Sequence, residues 1–237
     1  MPLGKVRRTL PSVTEHPSAN SNGDLKLSSD PAITIKDSAF IEFTAACEQL
    51  IHDLDDGITI RDAVAARAAK LASHWNMPHT DFRKLQLGAP YSSYQLYLNA
   101  QENLSIILDI FAPGQVAPIH NHCTWGVFVC LEGEEMERRY AVPVDLGQAP
   151  VETESFRNGP GVASVGDPAR NAFHQVECLG DVPAISLHIY GANLKSMDRD
   201  RWDASSRRFV TFRSGSDPRR QQASHYLTPA GLATATS

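Results

Sequence analysis

A chain of 237 residues, 42% of them hydrophobic, is long enough to bury the core of one domain of moderate size, which excludes a wholly disordered polypeptide. Its 27 acidic residues outnumber its 22 basic ones, a formal net charge of -5, which argues against nucleic-acid binding because that function draws on a basic surplus or stripe. The longest apolar runs, such as 126–131, fall far short of a membrane-spanning helix, so no membrane partner is expected.

Residues 1–33 are rich in Pro, Ser, Asn and Gly without apolar periodicity, and read as a flexible arm. Lys5, Arg7 and Arg8 are not followed by an apolar run, so a secretory signal is not expected. Cys47, Cys123, Cys130 and Cys178 form no CxxC pair and read as reduced thiols. A cytoplasmic protein is the expectation from both features. The folded domain is expected over 34–213, and 214–237 reads as a flexible tail.

Two helices open the domain. Phe40, Phe43, Cys47, Leu50 and Ile51 recur at helical spacing, and Val64, Ala65, Ala68 and Leu71 share one face of an alanine-rich second helix. Asp55, Asp56 and Gly57 read as the loop between them, and Asn76-Met77-Pro78 ends the helical region because proline disfavours helix in the residue before it. From Tyr94 onward, short Val/Ile/Leu/Phe runs alternate with Gly, Pro, Asn and Asp: 94–98, 105–111, 126–131, 135–140 and 184–190. Strands at this spacing predict an antiparallel sandwich or barrel beneath a helical layer.

The main chemical signal is Gly114-Gln-Val-Ala-Pro-Ile-His120-Asn-His122, followed by Gly133. On a strand, residues two apart face the same way, so both imidazoles would address one metal ion. A third histidine, His174, follows a Gly166-Asp167-Pro168 turn and leads into another apolar run. A lone HxH is often a surface or packing pair; the flanking turns and the third histidine favour a metal site. His16, His52, His74, His79 and His225 lack such context. Further on, 184–190 alternates cleanly, with Ile185, Leu187 and Ile189 on one face and Ser186, His188 and Tyr190 on the other. The polar set reads as a hydrogen-bonded interior row, or else as the solvent face of an amphipathic strand.

Gly-x5-His-x-His with the later glycine resembles the first cupin motif, and the segment through His174 resembles the second. More narrowly, residues from about 90 to 200 resemble the thiol dioxygenases of the cysteine dioxygenase family, nearest to the bacterial 3-mercaptopropionate dioxygenase type. The phrases PIHNHCTWGVFVCLEGE and ISLHIYGAN carry this likeness. It implies a mainly β fold, the cupin double-stranded β-helix or jelly-roll barrel, with N-terminal α-helices. It implies one Fe(2+) per chain, held by His120, His122 and His174, with a small thiol and O2 as substrates. Most cupins add a glutamate a few residues after the second histidine, but here the first acidic residue after His122 is Glu132. Three neutral imidazoles leave an ion its full charge and favour a thiolate; three-histidine sites also hold zinc, so the ligands alone do not select iron.

The resemblance further makes Tyr190 the hydroxyl donor to the reacting centre, His188 its positioner and Ser186 the positioner of His188. Gly126 occupies the place of the mammalian crosslinking cysteine, so no such crosslink is expected. Gln95 stands where the mammalian pattern has a carboxylate-binding arginine. Arg199, with Arg201 as second choice, is expected to bind the carboxylate instead, unless MDRDRW is a solvated charged loop. A thiol carboxylate without an amine is then favoured over cysteine. A non-catalytic ligand- or metal-binding cupin and a carbon-cleaving dioxygenase are the competing readings, and the oligomeric state is open.

Overall fold

The computed structural model describes residues 37–75, 91–143, 148–169, 172–213 and 222–223. The expected N-terminal arm, the helix-ending Asn76–Pro78, and His16, His79 and His225 lie outside them, as does most of the expected tail. Within that tail, 222–223 pairs with Val210 and Thr211.

Helix α1 spans Ser38–Asp53 and α2 spans Gly57–Ala72. Each starts at an aspartate whose carboxylate accepts from a backbone N–H three residues on: Asp37 from Phe40 at 3.0 Å and Asp56 from Thr59 at 2.7 Å. Gly57, expected in the loop, is thus the first residue of α2, because Asp56 caps it. Both helices turn their apolar stripes, including Phe43, Cys47, Val64 and Ala68, onto one face of a sheet.

That sheet has the order β1-β2-β8-β3-β6, with β1 Ser92–Leu98, β2 Ser105–Phe111, β3 Gly126–Glu132, β6 Ala163–Gly166 and β8 Ala184–Tyr190. A second sheet orders β5 Val151–Asn158, β4 Glu134–Ala141 and β7 Phe173–Leu179 as β5-β4-β7. Segment 116–120 extends it along β7 through bridges Val116–Glu177 and His120–His174. β2-β8-β3-β6 facing 116–120-β7-β4-β5 is the strand order of a jelly roll, the double-stranded β-helix. A three-stranded sheet of β9 Arg199–Asp203, β10 Arg208–Phe212 and β11 Gln222–Ala223 completes the fold.

Strands β2 and β8 are buried along their whole length, because helices cover one face of the sheet and the barrel interior lies behind the other. Ile106, Leu108 and Ile110 of β2, with Ile185, Leu187 and Ile189 of β8, join the helices in the main core. The alternate residues therefore face the interior. The β3–β4 corner requires glycine: Gly133 has φ 72°, and a Cβ there would sit 2.5 Å from the Pro183 carbonyl oxygen. None of the four cysteines forms a disulfide. Among the described residues no helix is long and apolar enough to cross a membrane.

Candidate metal centre

His120, His122 and His174 meet inside the barrel, all buried, with one nitrogen from each within 4.8 Å of the others. His174 belongs to β7, as the sequence suggests. His120 and His122 do not lie on a regular strand. His120 is joined to His174 by an isolated bridge, and Cys123 just beyond the pair takes a left-handed φ of 56°. Bridging and the turn, rather than strand alternation, aim the two rings.

The donor set suits a cation. His120 Nδ1 lies 2.8 Å from the Pro118 carbonyl, which accepts its proton and leaves Nε2 as the ligand atom. His174 Nδ1 faces Glu137 Oε1 at 3.3 Å, which does the same for that ring. The Nε2 atoms of His122 and His174 point at each other, 2.8 Å apart. Two nitrogens each about 2.1 Å from a shared ion are separated by roughly 3 Å, so small ring movements admit one. Burial, then mutual repulsion with the neighbouring histidines and Arg199, holds His120 and His122 well below the usual imidazole range, so both are neutral. Glu137 works against its own burial: His174, Ser164 and Arg139 together lower its carboxyl below the ordinary value. It therefore supplies a negative charge behind His174.

The polar row of β8 is interior, with Ser186 and His188 almost without exposure. Ser186 Oγ lies 2.9 Å from His188 Nε2, and His188 Nδ1 lies 3.1 Å from the Tyr190 hydroxyl. The row continues beyond the expected residues, because Glu135 Oε1 is 2.7 Å from Ser186 Oγ. Burial pushes the Glu135 carboxyl up to about 8, so it is largely protonated at neutral pH. Ser186 Oγ donates to Glu135 Oε1, and His188 links Ser186 through Nε2 to Tyr190 through Nδ1. Tyr190, at the end of the row, lines a cavity.

That cavity, about 20 Å³, is lined by His120, His122, Tyr190 and Arg199 among others. Arg199 is 1% exposed, stacks on Phe212 at 4.6 Å and has a guanidinium nitrogen 3.3 Å from His122 Nδ1. The MDRDRW segment is not a charged loop; Arg199 opens β9. Asn121 fixes this segment from within the HxH: its backbone N–H donates to the Asp200 carbonyl at 3.0 Å and its side-chain oxygen accepts from Asp200 N–H at 2.8 Å. Arg201 also lies over Phe212, at 5.6 Å, but does not line the cavity. Nor does Gln95; the β1 residue there is Ser93, two positions earlier.

Phe128, Asp109 and the two glutamates of β4 also belong to the site, though no sequence motif marks them. The Phe128 ring stacks 4.8 Å from His174, and a Cβ at Gly126 or Gly166 would meet it at 2.9 or 3.1 Å. Gly126 thus has no sulfur beside Tyr190 and no room for one without movement. A larger cavity of about 210 Å³ reaches His122 and His174 from the Phe128 side, past Arg139 and Asp167, but contains neither Tyr190 nor Arg199. The smaller cavity is the one in which the chemically distinctive groups converge.

No protein-family model matches the chain. Among solved structures, an oxalate oxidase in complex with glycolate is 18% identical with TM-score 0.35, over 44% of this chain and 52% of its own. This chain thus spans about half the length of that protein. The cupin domain of Cnp3 from Schizosaccharomyces pombe is 11% identical with TM-score 0.37, over 49% of this chain and 74% of its own. A double-stranded β-helix protein from Klebsiella pneumoniae is 12% identical with TM-score 0.38, over 51% and 88%. At such values these likenesses say nothing about substrate or reaction.

Proposed function

We propose that the chain is an Fe(II)-dependent dioxygenase that converts the thiol of a small thiol carboxylate, such as 3-mercaptopropionate, to a sulfinic acid. The reaction R–SH + O2 → R–SO2H places both oxygen atoms on sulfur. The observation that carries this reading is a cluster of three buried histidines, two of which line one cavity together with the Tyr190 hydroxyl and the buried Arg199. Iron, when bound, supplies the coordination sites and electrons that make O2 reactive toward sulfur.

The protein residues bind, orient and exclude water. Arg199 offers a planar fork for a carboxylate, and its burial strengthens that pairing. Anchoring the acid group fixes where the sulfur falls, and orientation of this kind supplies much of a rate enhancement. Tyr190 directs a hydrogen bond toward the oxygen atoms on which charge develops, with His188, Ser186 and Glu135 holding its direction. Phe128, Ile107 and Leu194 wall off solvent around Tyr190.

Oxygen-electrode assays of iron-loaded protein with 3-mercaptopropionate, cysteine and cysteamine test the reading. Turnover is expected, with mercaptopropionate ahead of cysteine. Oxygen uptake indistinguishable from thiol-free controls would favour a non-catalytic metal-binding cupin.

A further inference from the structure

Strand β2 carries one charged residue, Asp109, in a fully buried run whose only other polar residue is Ser105 at its start. Ile107, Asp109 and Phe111 form its interior face, and Asp109 lines the same cavity as His120, His122, Tyr190 and Arg199. Ser93 on β1 hydrogen-bonds Asp109 Oδ1. The other oxygen, Oδ2, is 3.4 Å from His188 Nδ1. Burying a carboxylate is costly, and here its contacts are a hydroxyl and an imidazole that burial keeps neutral, with a pKa of about 3. Core packing gives no reason for it.

A thiol that binds as thiolate must lose its proton on entering this cavity. The groups around it narrow the acceptor. Tyr91 and Tyr190 are phenols held protonated by burial, and Arg199 is already a cation. His120 and His122 are engaged as ligands. Both nitrogens of His188 are taken, Nε2 by Ser186 and Nδ1 by Tyr190 and Asp109. Asp109 is left: it lines the cavity, its Oδ1 accepts from Ser93, and its Oδ2, 3.4 Å from His188 Nδ1, keeps lone-pair capacity for a further proton.

We propose that Asp109 is a catalytic base whose Oδ2 takes the proton of the substrate thiol. This rests on the thiol-oxidising function proposed above. The S–H bond breaks with its electron pair left on sulfur, an O–H bond forms on Asp109, and nothing is oxidised or reduced in this step. Ser93 holds the carboxylate in place and Arg199 balances the charge of the incoming thiolate. Burial lifts the Asp109 carboxyl to about 7, against the lowering by Ser93 and Arg199, and a base near neutrality is matched to a thiol. The step needs only the S–H group and no amine, so it serves mercaptopropionate and cysteine alike.

The test reads protons rather than turnover. Iron-loaded protein is titrated anaerobically with 3-mercaptopropionate at about pH 8 in two buffers of different ionisation heat, which gives the protons released per thiol bound. Wild type is expected to release close to none, and Asp109→Asn close to one. The thioether 3-(methylthio)propionate should release none from either protein. Infrared difference spectra of wild type alone give a second reading: a protonated-carboxyl band should appear with the thiol and not with the thioether. Equal proton release by both proteins, or no such band, overturns the assignment of Asp109 while leaving thiol oxidation standing. A protein that binds no thiol overturns both. An Asp109→Asn effect confined to thiols bearing an amine would make Asp109 an ammonium site and reject it as the base.

Discussion

His122 Nδ1 lies 3.3 Å from a guanidinium nitrogen of Arg199. An ion held at His122 Nε2 leaves the ring proton on Nδ1, where it faces the N–H of arginine, and two donors cannot bond one another. Metal loading is therefore expected to turn the guanidinium off His122 and toward an anion in the cavity. Arg199→Ala should raise KM for 3-mercaptopropionate by roughly 10- to 100-fold, the scale of a lost charge-assisted hydrogen bond of about 1.5–3 kcal/mol. Cysteamine, which has no carboxylate, should lose little. Steady-state kinetics with both thiols check this, and unchanged mercaptopropionate kinetics would remove Arg199 from the substrate site.

Metal retention should depend on the ligands and on what holds them. Alanine at His120, His122 or His174 is expected to abolish stable iron binding, since a three-ligand site has no protein donor in reserve. Glu137→Gln keeps the shape but removes the charge behind His174, and should weaken metal affinity by roughly 10- to 100-fold. Metal analysis after dialysis against graded chelator measures both. Full iron in the alanine variants would reject the ligand assignment.

Tyr190→Phe removes one hydroxyl at the end of the Glu135–Ser186–His188 relay and leaves the ring. It should retain metal and slow kcat by about 100- to 1,000-fold, the usual worth of a lost donor to developing charge. A rate equal to wild type with every active thiol would make the relay structural.

The buried acids give the metal-free protein a distinctive pH response. Burial raises Asp109 from 3.8 to about 7 and Glu135 from 4.5 to about 8, so the folded state holds protons that the unfolded chain has released. Stability from these two groups is present at low pH and lost as pH rises through their folded values. The lowered histidines act oppositely, but their contribution is complete once pH exceeds the unfolded value of 6.5. Between about 6.5 and 8, the urea midpoint should therefore fall with rising pH, and the Asp109→Asn, Glu135→Gln double variant should flatten the slope. A midpoint that rises over that interval in wild type would contradict the burial of neutral carboxyls.

Much of this architecture is legible in residue order because period and punctuation are local. SIILDIF and AISLHIY match β2 and β8 to the residue; alternation puts Ser186, His188 and Tyr190 on one face, and the assembled sheets make that face interior. β5, VETESFRN, is largely exposed and lacks the apolar signal that marks a strand, so its place is set by pairing with β4. β9 reads as a charged loop until Asn121 and Phe212 are seen to hold it. Gln95 and Ser93 share one face of β1, and sequence spacing alone cannot decide which of them reaches the cavity. Asp109, Glu135 and Glu137 are less legible. A buried acid looks like a surface one until the strands that enclose it are assembled, although the interruption of SIILDIF by an aspartate was a visible signal.

The fate of oxygen distinguishes dioxygenation from other thiol chemistry most directly. Iron-loaded protein should be given 3-mercaptopropionate under isotopically labelled O2 and the product weighed by mass spectrometry. The expected result is a sulfinate carrying two labelled oxygen atoms, formed one for one with O2 consumed, and absent when His120, His122 or His174 is alanine. Disulfide as the only product, or sulfinate with oxygen drawn from water, would contradict dioxygenation at this three-histidine centre.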